Sequence, residues 1–313
     1  MSFRLTIVCP LVLFGFLGLV DAKPLILVGV LESQPDPIAP EGASARDHMR
    51  VAFRFRNGMW AAACEGKPST RRNDGCDVPE PQEPKQWHVV FDGRGLGDVE
   101  TAGWRNSDYY SFTGALTTTT LPLPSVEESE ASFPAWWGQP KRRPLAAVSG
   151  HAVPTIGQIW HREPVRQWDA ASAWPLFQAR VPIIPNCKFS EDGKPLGIAR
   201  RAERSDVIVF DRVRIVNGGV LLGVRARASD DCAEDGGFAS DFWILKPVSG
   251  PAFALEGFDT SGWGYSLKLV DIGSFAGDGT QQAVFAYSGY NEDGYVLYYD
   301  GLRKHVQFTW GYH

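Results

Sequence analysis

The segment from Tyr265 to Trp310 restricts the possible folds more than any other part of the chain. Short runs rich in Val, Tyr and Phe follow one another there: Tyr265–Val270, Ala283–Tyr287, Tyr295–Tyr299 and Lys304–Trp310. Stretches rich in Gly and Asp separate the runs, and these residues favour turns. Aromatic and β-branched runs between turn signals are typical of strands. The spacing therefore predicts four consecutive antiparallel strands, with Asp271–Gln282 as the loop between the first two.

The N-terminal part shows a similar pattern. An alternating run, Val51–Arg56, is followed by Asn57-Gly58 and then by a second run, Met59–Ala63. Asn-Gly between two such runs is the strongest short signal of a β-hairpin. No segment after residue 22 shows convincing amphipathic helical periodicity. We therefore predict an all-β fold built from antiparallel meanders, and the alternative is a β-sandwich with an irregular Trp- and Pro-rich middle.

The first residues have the pattern of an export signal. Arg4 supplies a positive charge, Leu5–Val20 is apolar, and Val20-Asp21-Ala22 provides small residues before a cleavage site after Ala22. This pattern is typical of a cleavable secretory signal, and the apolar run is short for a membrane span. An uncleaved anchor is the alternative. We predict a signal peptide at 1–22 and a periplasmic or secreted mature chain at 23–313, without a membrane span after cleavage.

Composition divides the expected mature chain into 23–125, an irregular part at 126–182, and 183–313. The cysteines that remain after cleavage are Cys64, Cys76, Cys187 and Cys232. An even number of cysteines in an exported chain indicates two disulfides. Three pairings are possible, and proximity in sequence favours Cys64–Cys76 and Cys187–Cys232. The cysteines lack the spacing of a metal site.

The loop inside the predicted meander carries the most informative motif. It runs Gly273-Ser274-Phe275-Ala276-Gly277-Asp278-Gly279-Thr280-Gln281-Gln282. This segment resembles the FG-GAP/VCBS-type repeat of integrin-like β-propellers, whose loop binds Ca²⁺ through several oxygen ligands. The matching positions are Gly273, Phe275, Gly277, Asp278 and Gly279. The resemblance implies a β-propeller-like C-terminal blade over 265–310, and the whole chain is similar to exported bacterial proteins with such a segment.

The calcium ligands of the repeat are mostly replaced in this chain. Ser274, Ala276 and Gln282 occupy three of the ligand positions, and only Asp278 keeps a carboxylate. One formal charge with a few neutral oxygens makes a poor Ca²⁺ site. We therefore expect the loop to retain its turn without binding calcium, and we expect no other cofactor.

The tryptophans of the middle part allow two interpretations. Trp136 and Trp137, with Trp160, Trp168 and Trp174 further along, could form an exposed platform for a glycan or a partner protein. Alternatively, they fill the core, because Trp is highly buried on average. The neighbouring basic run, Lys141-Arg142-Arg143, is expected to be solvated.

The absence of common catalytic and nucleotide-binding motifs narrows the possible functional classes. The chain contains no G-x-S-x-G, H-E-x-x-H, Walker or G-x-G-x-x-G motif. A formal net charge of −5 argues against a nucleic-acid partner. We predict an exported, non-catalytic binding or interaction protein with an unknown protein or glycan partner. An extracytoplasmic enzyme acting on glycans or cell-envelope polymers and a structural envelope component remain as alternatives. A carboxylate pair about 5–10 Å apart in an aromatic-lined cleft would favour the enzyme.

Overall fold

The computed structural model describes much of the chain after the expected signal peptide. The described residues are 25–34, 46–63, 84–107, 112–117, 143–149, 159–184, 199–227, 238–239, 241–256, 262–263, 266–289 and 292–311. Within these ranges the chain is mostly β and has one α-helix. Every strand pairing among them is antiparallel. The all-β prediction is therefore confirmed.

The first seven strands form one sheet, called here the N-terminal sheet. They are β1 (Ile26–Gln34), β2 (Arg46–Arg56), β3 (Met59–Ala62), β4 (Gln86–Phe91), β5 (Arg94–Ser107), β6 (Phe112–Thr117) and β7 (Leu145–Ser149). Their order is β1-β7-β4-β5-β6-β2-β3, and β1 also pairs with β2. The predicted hairpin is the β2–β3 pair.

The next strands form a second, five-stranded sheet, called here the central sheet. The elements of this part are β8 (Trp160–Arg162), α1 (Gln167–Arg180), β9 (Ile183–Ile184), β10 (Arg200–Arg201), β11 (Val207–Ile215), β12 (Gly219–Ala226), β13 (Phe238–Ala239), β14 (Phe242–Lys246), β15 (Phe253–Ala254) and β16 (Gly262–Trp263), with a 3₁₀ turn at Arg204–Asp206. The central sheet has the order β15-β14-β12-β11-β8, while β9–β10 and β13–β16 form separate pairs.

Helix α1 corrects the expectation that the chain has no helix and lies in the segment predicted to be irregular. The Asp169 carboxylate accepts a hydrogen bond from the Arg166 backbone N–H at 2.8 Å, which caps the first turn. Asp169, Ala173 and Phe177 are spaced four residues apart and are buried. The helix contains Pro175, which lacks a backbone N–H. This interruption and exposed Trp168 mask the amphipathic pattern in the sequence.

The predicted C-terminal meander is present. It consists of β17 (Ser266–Gly273), β18 (Gln282–Gly289), β19 (Glu292–Tyr299) and β20 (Lys304–Gly311), paired in chain order. The first strand is longer than predicted, because a register shift between Leu269 and Asp271 lets pairing continue to Gly273. Such a β-bulge inserts one residue and re-aims its neighbours. Asp271 therefore lies in a strand rather than in the predicted loop.

The C-terminal meander is buried on both faces. Val284, Leu297 and Phe308 belong to a cluster shared with the N-terminal sheet. Leu269, Phe285 and Val296 belong to a second cluster, shared with the central sheet. Helix α1 covers the far face of the central sheet, where Phe177 packs near Phe242. None of the described helical segments is long and apolar enough to cross a membrane.

Candidate binding cleft

A cleft of about 480 Å³ lies where the N-terminal sheet meets one end of the C-terminal meander. Its walls come from the β2–β3 hairpin, from the loop between β17 and β18, and from the turn between β19 and β20. Volumes between about 300 and 1,000 Å³ are usual for small-molecule sites. The packing of β20 against β2 and β3 brings these three segments together.

The hairpin wall is aromatic and is fixed by its turn. Asn57 and Gly58 have φ values of 54° and 81°, as the two-residue turn favoured in β-hairpins requires. This turn pairs Phe55 with Trp60 across the strands. Their ring centroids lie 4.9 Å apart. The turn therefore holds two aromatic side chains together at the edge of the cleft.

The loop wall is held by the amide of Gln282, which is 1% exposed. Its Oε1 accepts hydrogen bonds from the backbone N–H groups of Phe275, at 2.7 Å, and Ala276, at 3.2 Å. Its Nε2 donates to the Thr280 hydroxyl at 2.6 Å and to the Thr280 carbonyl at 3.1 Å. One buried side chain thus binds both sides of the loop and fixes its shape.

Asp278 and Ser274 are also engaged by the loop. Asp278 Oδ1 accepts hydrogen bonds from the Thr280 backbone N–H at 2.9 Å and from the Thr280 hydroxyl at 2.6 Å. Ser274 Oγ accepts one from the Gly279 N–H at 2.9 Å. Asp278, Thr280 and Gln282 all line the cleft. The loop therefore contributes a carboxylate, a hydroxyl and an amide to this wall.

These contacts bear on the calcium ligand positions suggested by the resemblance. Ser274 Oγ, Asp278 Oδ1 and Gln282 Oε1 accept hydrogen bonds from the loop's own N–H groups, and Ala276 has no side-chain oxygen. Within the described ranges, no group of three or more His, Cys, Asp or Glu residues is placed to hold a metal ion. The expectation that the loop binds no calcium stays a prediction.

The third wall contains Tyr299, Asp300 and Lys304. Lys304 Nζ lies 2.8 Å from Asp300 Oδ2. This hydrogen bond and the attraction between the two charges lower the pKa of Asp300 and raise the pKa of Lys304. The wall therefore presents an ionised carboxylate and an ammonium group beside an aromatic ring.

The remaining predicted site residues are divided between described and undescribed segments. Trp136, Trp137, Cys64, Cys76, Cys187 and Cys232 lie outside the described residues, as does the expected signal peptide. Of the other tryptophans, Trp160 is fully buried, Trp174 is half-buried, and Trp168 is 61% exposed. The core interpretation therefore applies to Trp160, and the exposed interpretation applies to Trp168.

A buried carboxylate that the sequence did not reveal joins the three sheets. Asp271 Oδ1 accepts hydrogen bonds from the Trp160 indole N–H at 2.7 Å and from the backbone N–H of Gly93 at 2.9 Å. Trp160 belongs to the central sheet and Gly93 to the β4–β5 turn of the N-terminal sheet. Asp271 Oδ2 is buried and has no described partner. Burial raises the pKa of Asp271 to about 6, although the nearby Arg143 opposes the shift.

Arg143 corrects the expectation that its basic run is solvated. Its side chain is 2% exposed, and its Nη1 lies 2.7 Å from Asp92 Oδ1. Its Nη2 donates to the Val270 carbonyl, at the bulge in β17. A buried charge needs such partners to offset its desolvation. Arg143 therefore links the N-terminal sheet to the C-terminal meander.

A second buried carboxylate, Glu32, lies between the same two sheets. Arg50 Nε donates to both of its oxygens, at 3.0 and 3.1 Å, and His48 Nε2 lies 2.9 Å from Oε2. The Tyr295 hydroxyl donates to Oε1. Burial alone would raise the pKa of Glu32, but Arg50, His48 and Tyr295 outweigh it and lower the pKa to about 2.

Comparisons with known proteins add no identification. No protein-family model, curated protein or solved structure matches this chain. The resemblance of 265–310 to an FG-GAP repeat therefore stays a prediction from its sequence motif.

Proposed function

We propose that this is an exported, non-catalytic binding protein that holds a saccharide in the cleft between the N-terminal sheet and the C-terminal meander. The observation that carries the proposal is the composition of the cleft. Phe55, Trp60 and Tyr299 provide apolar rings, while Asp278 and Lys304 provide charged groups. A mostly apolar pocket with a few polar groups is typical of a ligand site.

The chemistry of the walls favours a sugar over a wholly apolar ligand. A pyranose ring has apolar C–H faces that pack on aromatic rings, and its rim of hydroxyl groups requires both donors and acceptors. Asp278 and Asp300 accept hydrogen bonds, and Lys304 donates them. Asp278 Oδ2 receives no hydrogen bond from the described part of the chain, so it is available to a ligand hydroxyl.

Binding is favoured over glycoside hydrolysis by the state of the carboxylates. A glycosidase needs one carboxyl group with a raised pKa as its general acid. The hydrogen bond from Lys304 shifts the pKa of Asp300 in the opposite direction. In Asp278, Oδ1 is engaged by Thr280. Asp300 therefore lacks the surroundings of a general acid, which supports the non-catalytic hypothesis.

Export is part of the proposal and rests on the first 22 residues. A cleavable signal would place the mature chain where disulfides form. N-terminal sequencing of protein recovered from the culture medium or periplasm should begin at Lys23. The mature protein should resist thiol alkylation until it is reduced, because Cys64, Cys76, Cys187 and Cys232 are expected to form two disulfides. Full-length protein retained in the cytoplasm would contradict this part of the proposal.

We also infer that the C-terminal meander is a propeller-type blade. Four antiparallel strands in chain order, with the glycine-rich loop between the first two, support this inference. The central sheet also runs in chain order through β8, β11, β12, β14 and β15 and packs face to face with the meander. An experimental structure showing further meanders arranged around a common axis would support it, whereas an isolated meander would not.

Saccharide binding is tested by calorimetry with oligosaccharides of glucose, of N-acetylglucosamine and of uronic acids. One class should bind, and Tyr299→Ala should weaken its binding about tenfold, a typical loss for an aromatic contact. Lys304→Gln should weaken it as well, whereas Lys85→Gln, at an exposed position just before β4, is the matched control. Binding that is unchanged in both cleft variants would place the sugar elsewhere and refute the cleft assignment.

A further inference from the structure

A surface formed by the edge of the central sheet and the start of α1 is distinct from the cleft. We call it the Arg–Trp face and define it by His161, Val165, Arg166, Trp168 and Arg214. Trp168 is 61% exposed and Val165 is 45% exposed. The exposed fractions of the nitrogen-bearing side chains are 47% for His161, 43% for Arg166 and 38% for Arg214. Large apolar and basic side chains are thus both exposed in this region.

The carboxylates of this region lie beneath its cations. Glu163 is 17% exposed and Asp169 is fully buried. Arg212, which is 4% exposed, binds both of them, at 2.8 Å to Glu163 and 2.7 Å to Asp169. The negative charges of Glu163 and Asp169 are therefore largely neutralised by an internal arginine.

The exposed arginines above these carboxylates, Arg166 and Arg214, have N–H groups that no described residue accepts. Arg214 Nε donates to Glu163 Oε1 at 3.1 Å, and no described residue accepts from its two terminal nitrogens. Arg166 Nη2 lies 3.5 Å from Glu163 Oε2, at the edge of hydrogen-bond range. Three guanidinium groups, those of Arg166, Arg212 and Arg214, thus surround two carboxylates. The excess charge is positive and lies outside, although the chain as a whole carries −5.

The apolar part of the face is continuous with these donors. The guanidinium carbon of Arg166 lies 5.6 Å from the centre of the Trp168 ring, which is within the range of a cation–π contact. This contact places a flat, exposed indole directly beside a charged donor. An exposed Trp next to Arg is the composition that dominates the energetics of protein interfaces.

We propose that the Arg–Trp face docks an acidic segment of a partner protein, one that carries a large apolar side chain beside its carboxylates. The carboxylates would bind the terminal nitrogens of Arg214 and Arg166, since guanidinium groups match carboxylates in a two-pronged geometry. The apolar side chain would pack on Trp168 and Val165. An anionic polysaccharide or a membrane surface would use the cations alone and would leave this apolar pair without a role.

The test is a selection of short random peptides by display against the intact protein. Peptides that bind should be enriched in Asp or Glu next to Leu, Phe, Trp or Met. Their affinity should fall about tenfold or more in Trp168→Ala and in Arg166→Gln, as it does when central interface residues are truncated. Arg201→Gln, at an exposed arginine of β10, is the matched control and should bind as the unmodified protein does.

Arg214→Gln should reduce peptide binding as well, but it also removes the hydrogen bond to Glu163. The urea unfolding midpoint of this variant is therefore measured together with its peptide affinity. If this variant is unstable, Arg166→Gln and Trp168→Ala decide the outcome, because both side chains are exposed. Selected peptides that lack carboxylates, or that bind all variants equally, would overturn the proposal. Retention on heparin or on phosphatidylglycerol vesicles that depends on Arg166 but not on Trp168 would overturn it in favour of a polyanion or a lipid surface.

Discussion

The Trp160 indole donates a hydrogen bond to Asp271 Oδ1 at 2.7 Å, and this bond joins the central sheet to the C-terminal meander. The same oxygen accepts the Gly93 N–H from the N-terminal sheet. A single carboxylate therefore connects three sheets. Its hydrogen bonds fix the relative orientation of these groups, whereas apolar contacts are non-directional. Because it is buried, its charge carries a cost that depends on pH.

The first prediction concerns the pH dependence that Asp271 confers. Its pKa is about 6 in the folded protein and 3.8 when exposed, so the folded state binds its proton more tightly. Its contribution to stability is therefore largest below about pH 4 and is lost as pH rises through 6, a change of about 3 kcal/mol. Urea unfolding of the wild type and of Asp271→Asn at a series of pH values measures this change. The wild type should lose stability relative to the variant as pH rises, and parallel curves would contradict the prediction.

Glu32 gives a second prediction of opposite sign. Its pKa falls from 4.5 when exposed to about 2 in the folded protein. The stability that its charge contributes is fully present above about pH 4.5 and is lost as pH falls towards 2. Glu32→Gln removes the buried carboxylate that Arg50 binds and should destabilise the protein by about 3–5 kcal/mol at neutral pH.

Acid titration of the folded state by near-ultraviolet circular dichroism provides the second readout for Glu32. The variant should lose the part of the acid transition that lies below about pH 4.5. Glu256→Gln changes an exposed carboxylate and serves as the control. A variant with wild-type stability at neutral pH would show that the Glu32–Arg50 pair contributes little.

A third prediction uses two matched glycines. Gly58 and Gly93 each follow an Asn or Asp in a two-residue hairpin turn, with φ values of 81° and 70°. A Cβ on Gly58 would meet nothing within 4 Å, whereas one on Gly93 would lie 2.8 Å from Trp160 Cδ1. Both Ala variants pay the cost of positive φ, of about 1 kcal/mol, but only Gly93→Ala pushes on the indole that holds Asp271. Gly93→Ala should therefore be the less stable by a further 1–3 kcal/mol or so, as measured by thermal unfolding. Equal losses of stability in the two variants would mean that the contact with Trp160 relaxes without a cost in free energy.

The sequence predicted the local structure better than it predicted the sites. The β2–β3 hairpin and the four strands of the meander follow from alternation and turn residues, which act over short distances. The sequence places Asp271 in a loop because a bulge has no clear signal in sequence. It indicates a solvated Arg143 because the partners of this side chain, Asp92 and the Val270 carbonyl, are distant in the chain.

The cleft could not be predicted for the same physical reason. Phe55, Asp278 and Lys304 come from β2, the β17–β18 loop and the start of β20, and only the packing of the sheets brings them together. Their individual patterns indicate a hairpin, a glycine-rich loop and a surface ion pair. Only the motif around Asp278 pointed to this end of the meander, and it did so by resemblance to a calcium loop rather than by indicating a cleft.

The last prediction tests what that loop has retained. In the wild type, Ser274 Oγ, Asp278 Oδ1 and Gln282 Oε1 accept hydrogen bonds from the loop's own N–H groups, and one remaining carboxylate oxygen is a poor calcium site, so millimolar Ca²⁺ should leave the melting temperature unchanged. In the triple variant Ser274→Asp, Ala276→Asp and Gln282→Glu, four carboxylates would surround a loop of the same length, and a hard cation prefers such oxygens. Its melting temperature should be lower without calcium, because the Gln282 amide bonds to Thr280 are lost, and should rise by several degrees when Ca²⁺ is added.

Scanning calorimetry with Ca²⁺, with Mg²⁺ and with chelator separates these effects. A calcium-dependent rise in the wild type would show that the loop still binds the ion, while a triple variant that folds but ignores calcium would show that the loop does not have the geometry of the repeat it resembles.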